Sequence, residues 1–163
     1  MKRLVAIAAL AAVPTLFAAP AFAAEPAKQP SAGVVASYPA EVVRLTNVQR
    51  AANGCPALRI DERLVAAARA HSADMVGQHF FSHTGSDGSN FVAREVAAGY
   101  PRKGASAENI AWGYRTPKAV VDGWMNSPGH RANILNCGSL AVGVGIAYTS
   151  GGAPYWTQDF GRL

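Results

Sequence analysis

The first 23 residues carry their apolar positions as a run, without a period. Lys2 and Arg3 precede an unbroken apolar stretch from Leu4 to Val13, Pro14 and Thr15 interrupt it, and Ala21-Phe22-Ala23 follows. A cationic start, an apolar middle and small residues at the end form the pattern of a secretory signal peptide, with cleavage expected after Ala23. Residues 24–38 mix Ala, Pro and Ser without periodicity, which predicts a flexible leader. From Pro39 the spacing becomes helical, with Val42, Val43, Leu45 and Val48 as a stripe that ends at Asn53-Gly54. Asp61 is placed to cap a second helix, in which Leu64, Ala67, Ala68, His71 and Met75 recur up to Gly77.

The turn-forming run Thr84-Gly85-Ser86-Asp87-Gly88 leads to a short helix over 91–98, closed by Gly99 and Pro101. Thr116-Pro117 opens another, with Val120, Val121 and Trp124 as its apolar face, and Ser127-Pro128 repeats the signal for 129–135. The last quarter changes to period two: Val142, Val144, Ile146 and Tyr148 alternate with Gly or Ala, and Ser150-Gly151-Gly152 turns the chain into 155–160. That is an antiparallel hairpin. Gly143 and Gly145 leave one of its faces bare, so a helix is expected to lie close against it. Helices first and strands last predict one α+β domain over 39–163.

Composition narrows the function. The chain of 163 residues is 50% hydrophobic and 15% charged, against a charged fraction of about 25% in ordinary soluble domains. Removing residues 1–23 takes away Lys2 and Arg3, so the formal charge falls from +5 to +3. The remaining cations are scattered, with only Arg102-Lys103 adjacent. Nothing matches the dense basic stripe that neutralises a phosphate backbone, and nucleic acid is not an expected partner. No later segment approaches the roughly 20 apolar residues of a membrane helix. No transmembrane segment is therefore expected, and the product should be exported to the extracellular space or cell envelope. In that oxidising setting Cys55 and Cys137 are expected to pair rather than remain as two buried thiols.

Four histidines occur, at 71, 79, 83 and 130. His79 and His83 have the spacing of a zinc-protease helix, but Phe80 stands where the general-base glutamate belongs. His71 falls on an apolar stripe and is expected in the core; His79, beside two phenylalanines, is also read as structural. His83, Glu108 and His130 lie instead in stretches that read as turn-rich.

These last three belong to ordered motifs. Phe80-Phe81-Ser82-His83, Ala107-Glu108-Asn109-Ile110-Ala111, the stretch from Trp124 through Ser127-Pro128-Gly129-His130-Arg131 to Leu135, and Val142-Gly143-Val144-Gly145 follow one another. In this order they resemble the CAP superfamily of cysteine-rich secretory, antigen 5 and pathogenesis-related proteins, in particular its bacterial secreted SCP-like branch, over about 41–161. The resemblance implies a three-layer α-β-α sandwich and a large cleft holding two histidines and two acidic residues, sometimes occupied by zinc or another divalent cation. His83, Glu108 and His130 match three of the four. The fourth position falls on Ser127, with Asp122 and Asn126 nearby as tentative substitutes. Two imidazoles and one carboxylate match the three-ligand pattern of an open zinc site; the alternative is that Glu108 and both histidines only order the loops through hydrogen bonds. Arg131 and Asn133 are candidates for ligand contact or for salt-bridging and capping roles. Trp112, Tyr114, Tyr155 and Trp156 are candidates for an apolar groove or for core, and Trp124 for core.

Three functions compete, in this order. The first is a non-catalytic extracellular binding module for a small apolar molecule, an ion, a glycan or a protein. The second is a zinc-dependent, peptidase-like hydrolase, with Glu108 as ligand or base. The third is a structural or signalling component of the envelope. No Gly-x-Ser-x-Gly elbow and no activated cysteine is present, so a hydrolase lacks its usual nucleophiles.

Overall fold

The computed structural model describes residues 31–163. The expected signal peptide and the leader up to residue 30 lie outside the described residues. Within them, helices and strands follow in the order α1 (Ala32–Ala52), β1 (Arg59–Ile60), α2 (Glu62–Gly77), α3 (Phe91–Ala97), β2 (Ala105–Trp112), α4 (Pro117–Met125), α5 (Pro128–Ile134), β3 (Ala141–Tyr148) and β4 (Pro154–Gly161). The strands form one sheet in the order β1-β3-β4-β2. β1 runs parallel to β3, and the other pairs are antiparallel.

Alternation along the hairpin divides the layers. Val142, Val144, Trp156 and Phe160 point to one face and pack with Val42 and Val43 of α1 and Val120, Val121 and Trp124 of α4. Gly143 and Gly145 point to the other, where a Cβ on either would overlap the backbone of α2 at Leu64-Val65 or Ala68-Arg69. The helix therefore seats backbone on backbone, as the bare hairpin face implied. The result is the α-β-α layering expected of the sequence.

Local signals placed most helix starts. The Asp61 carboxylate accepts from the Arg63 amide at 3.1 Å, and Thr116 Oγ1 accepts from the Ala119 amide at 3.2 Å ahead of Pro117. Asn90 caps α3 in the same way, at 2.9 Å from the Ala93 amide.

Three features differ from the sequence reading. α1 begins at Ala32, so Pro39 lies inside it and residues 32–38 are helical rather than a flexible leader. Only Tyr38 of that stretch reaches the core, where its ring stacks on Trp156 at 6.2 Å, so the sequence shows no stripe there. Further along, the inward side of α1 carries Thr46 and Arg50, both fully buried, while Val48 is exposed. Finally, the stretch around Glu108 is not a turn but the strand β2, at the edge of the sheet.

Cys55 and Cys137 form a disulfide between the loop after α1 and the loop after α5. Arg50 fills the same corner. Its guanidinium donates to the carbonyls of Pro56, Ile134, Asn136 and Ser139 at 2.8–2.9 Å. No helix among the described residues is long and apolar enough to cross a membrane.

Candidate functional site

Alternation along β2 sends Glu108 to the α2 and α3 side and Asn109 to the α5 side. The site is built on both. Glu108 Oε1 accepts from His83 Nδ1 at 2.7 Å, and Oε2 accepts from Arg94 Nη2 at 2.6 Å. Arg94 is held in turn by the carbonyls of Ser89, at 2.9 Å, and His83, at 3.1 Å. The Glu108 side chain is only 1% exposed, while that of His83 is 55% exposed. The carboxylate is thus an anchor below the surface, and His83 is what it presents.

Two more carboxyls lie close by. Asp159 sits opposite Glu108 in the β2–β4 register, and Glu95 comes from α3; both are buried. Their four oxygens meet no hydrogen-bond donor among the described residues. Burial, then the charge of Glu108, pushes Glu95 up to about 8. The same two causes, in the same order, hold Asp159 well above the usual carboxylate range. A value of about 8 favours protonated Glu95 at neutral pH, Asp159 is shifted in the same direction, and Glu108 is the carboxyl group that Arg94 pairs with. His71 is buried as expected, with Nε2 bonded to the Ser82 carbonyl at 2.9 Å; burial lowers its pKa.

On the other side a relay of side chains positions His130. Gln158 donates to Thr46 Oγ1 at 2.9 Å and accepts from Asn109 Nδ2 at 3.1 Å. Asn133 Nδ2 donates to Asn109 Oδ1 at 2.9 Å and to the Glu108 carbonyl at 3.3 Å. Asn133 therefore fastens α5 to the edge of β2. The same Asn109 amide donates to the His130 carbonyl at 3.3 Å. Burial, then the nearby His83, lowers the pKa of His130.

His83 and His130 line one groove of about 630 Å³, and Ser127 is also in its lining. Phe81, Trp112 and Tyr114 form its aromatic rim. Two local devices build that rim. The Trp156 indole donates to the Tyr114 carbonyl at 2.8 Å, and Gly123 of α4 lacks the Cβ that would strike the Tyr114 ring.

The tentative residues Asp122 and Asn126 are not among the groove's lining. Because α4 turns Val120, Val121 and Trp124 inward, Asp122 faces outward and pairs with Lys118 at 2.6 Å, and Asn126 is the exposed C-cap. Sequence reasoning missed Arg94, Glu95 and Asp159. The available signal was Gln158-Asp159, a polar pair inside a strand flanked by Trp156 and Phe160.

The donor set does not fit a three-ligand metal site as it stands. Both Glu108 oxygens are engaged, one of them by a guanidinium, and among the described residues no group of three or more His, Cys, Asp or Glu is arranged to hold a metal ion. The carboxylate behind His83 Nδ1 is the supporting arrangement of a ligating histidine, but His83 and His130 alone would give two protein donors where three are usual.

Residues 43–160 match the model of the cysteine-rich secretory protein family, CAP. The chain belongs to the CAP family. The Bacillus subtilis (strain 168) protein YkwD is 44% identical over 128 residues, covering 77% of this chain and 48% of YkwD. The membrane protein YlbC of the same organism is 34% identical over 120 residues, 74% of this chain and 33% of YlbC. The chain thus spans less than half the length of these curated relatives. Among solved structures, an extracellular protein containing an SCP domain from Bacillus anthracis str. Ames matches with TM-score 0.72 and 30% identity, over 78% of this chain and 41% of that one. An outer surface protein from Borrelia burgdorferi shares the fold, with TM-score 0.66 and 21% identity, over 74% of this chain and 89% of that one. In this CAP domain His83 bonds Glu108 and shares a groove with His130, and the disulfide and hairpin are present.

Proposed function

We propose that this CAP domain is a secreted, non-catalytic binding module whose ligand occupies the groove between His83 and His130. The observation that carries the reading is the engagement of Glu108. Both oxygens are committed, to His83 and to Arg94, and the group is shielded from solvent. To act as a general base Glu108 would need a free oxygen within reach of the proton it takes, and no carboxylate lines the groove. Glu95 and Asp159, whose pKa values burial raises, lie beneath the surface. Export is supported by the Lys2-Arg3 and apolar N-terminal pattern and by the extracellular description of the Bacillus anthracis relative.

The test is a screen of peptide, ester and glycan substrates with the purified disulfide-bonded protein, with and without added zinc. No turnover above background is expected. Turnover abolished by Glu108→Gln, with the circular dichroism spectrum unchanged, would establish the hydrolase instead. N-terminal sequencing of exported material should begin at Ala24; retention of Met1 would remove the secretion claim.

A further inference from the structure

Among the described residues, three aromatic side chains are more than a third exposed: Phe81 at 50%, Trp112 at 57% and Tyr114 at 40%. All three line the same groove. Tyr155 joins two of them, with its ring centroid 6.1 Å from Phe81 and 6.2 Å from Trp112. Exposed aromatics scattered singly over a surface call for no explanation, whereas their concentration at one concave site marks a ligand surface. The rim is made of flat rings, and the polar side chains that share the lining are the imidazoles of His83 and His130 and the hydroxyls of Ser82 and Ser127.

The hydrogen-bonding character of that floor selects among ligands. His83 Nδ1 is committed to Glu108, so Nε2 is the ring nitrogen left for a ligand. The imidazole of His130 adds further ring nitrogens to the lining. Ser127 adds a hydroxyl. An aliphatic chain laid here would strip water from these groups and replace none of their bonds. A proline-rich segment has the right flat shape for an aromatic groove, but its prolines offer only carbonyl acceptors, whereas a hydroxyl edge can both donate and accept. None of the residues lining the groove is Asp, Glu, Lys or Arg, so no charge is present to select a sulfated or phosphorylated ligand.

On these grounds we infer that the groove takes an uncharged oligosaccharide, a sugar ring lying on the Trp112–Tyr155–Phe81 surface and a hydroxyl hydrogen-bonded to His83 Nε2. Pyranose rings combine apolar C–H faces with a hydroxyl edge, which is the combination the aromatic rim and the imidazole floor leave unfilled. This rests on the binding-module reading and names its ligand class.

The experiment titrates the disulfide-bonded chain with N-acetylchitotetraose and cellotetraose, followed by tryptophan fluorescence and by NMR shifts of the Trp112 indole and the His83 imidazole. Palmitate and a decaproline peptide are run beside them. Saturable binding of at least one tetrasaccharide is expected, weakened tenfold or more by Trp112→Ala and several-fold by His83→Ala. Trp112 is exposed, so its removal leaves the fold intact. Tyr148→Phe, outside the groove, should bind as the parent does. Binding that ignores Trp112→Ala, or no saturable binding of either sugar, overturns the inference. Occupancy by palmitate or decaproline alone also overturns the ligand class but keeps the binding module, whereas Glu108-dependent turnover of a sugar removes the module itself.

Discussion

Arg50 and the Glu108–Asp159–Glu95 group are both charge-bearing chemistry taken out of water, and the chain treats them in opposite ways. Arg50 is fully buried without a carboxylate, yet its guanidinium meets four backbone carbonyls. The cation is solvated by the main chain and fixes the loops on either side of the disulfide. The three carboxyls share one guanidinium, and four of their oxygens meet no donor among the described residues. There burial raises the pKa of Asp159 and of Glu95, which favours the uncharged form of each. The guanidinium of Arg50 is satisfied all round. Beneath the groove, satisfaction is incomplete: Glu108 is paired with His83 and Arg94, while the oxygens of Glu95 and Asp159 meet no donor among the described residues.

The comparison can be broken at its strongest point first. Removing the disulfide as the Cys55→Ser/Cys137→Ser pair frees an 82-residue separation and should cost about 4 kcal/mol of unfolding free energy, read from the urea midpoint. A loss under about 1 kcal/mol would show that Arg50 alone holds the corner. Arg50→Lys keeps the charge but cannot reach four carbonyls at once, and two or more lose their donor. The expected loss is about 3 kcal/mol, and retention of wild-type stability would remove the role assigned to the fork.

The carboxyl group should behave differently, through pH. An acid whose folded pKa exceeds its unfolded one holds a proton in the native state alone between the two values, so stability falls as pH rises across that interval. For Glu95 the interval runs from its ordinary 4.5 to about 8. Glu95→Gln should flatten this slope and be more stable than the parent at pH 8 by on the order of 1–2 kcal/mol, the buried amide giving back part of the gain. Chemical denaturation at pH 5 and pH 8 decides it. Parallel slopes for parent and variant would mean that Glu95 is ionised throughout.

Much of this architecture is legible because local patterns and packing agree. Asp61 and Thr116 cap where their residue types require, and two glycines in a strand announce the close approach of α2. The groove histidines stand out through their motifs. What stays hidden is chemistry whose meaning is set by distant partners. Arg50 looks like any helix cation until carbonyls from residues 134–139 close on it, although its place seven residues after Val43 puts it on the inward side. Arg94 and Glu95 are consecutive charges on a short helix, which reads as a solvated surface. Glu108 reads as part of a turn because β2 sets Glu108 and Asn109 side by side, polar on both faces, which hides the alternation of a strand. Pro39 reads as a helix start because proline is favoured there, while the observed helix carries it internally and anchors the preceding turn by Tyr38.

The disulfide also has a topological consequence. Phe81, His83, Glu108, Trp112, Ser127 and His130 all lie between Cys55 and Cys137 in sequence, so these groove residues belong to a single covalent ring. A protease that cuts the exposed backbone near Ser86–Gly88 linearises the ring and releases no fragment, since each new end remains attached through the sulfur bridge. The nicked molecule keeps its full set of groove side chains on one connected chain. Where reductants are scarce, a single cleavage therefore leaves the groove residues covalently connected, and their separation requires a second cut or reduction.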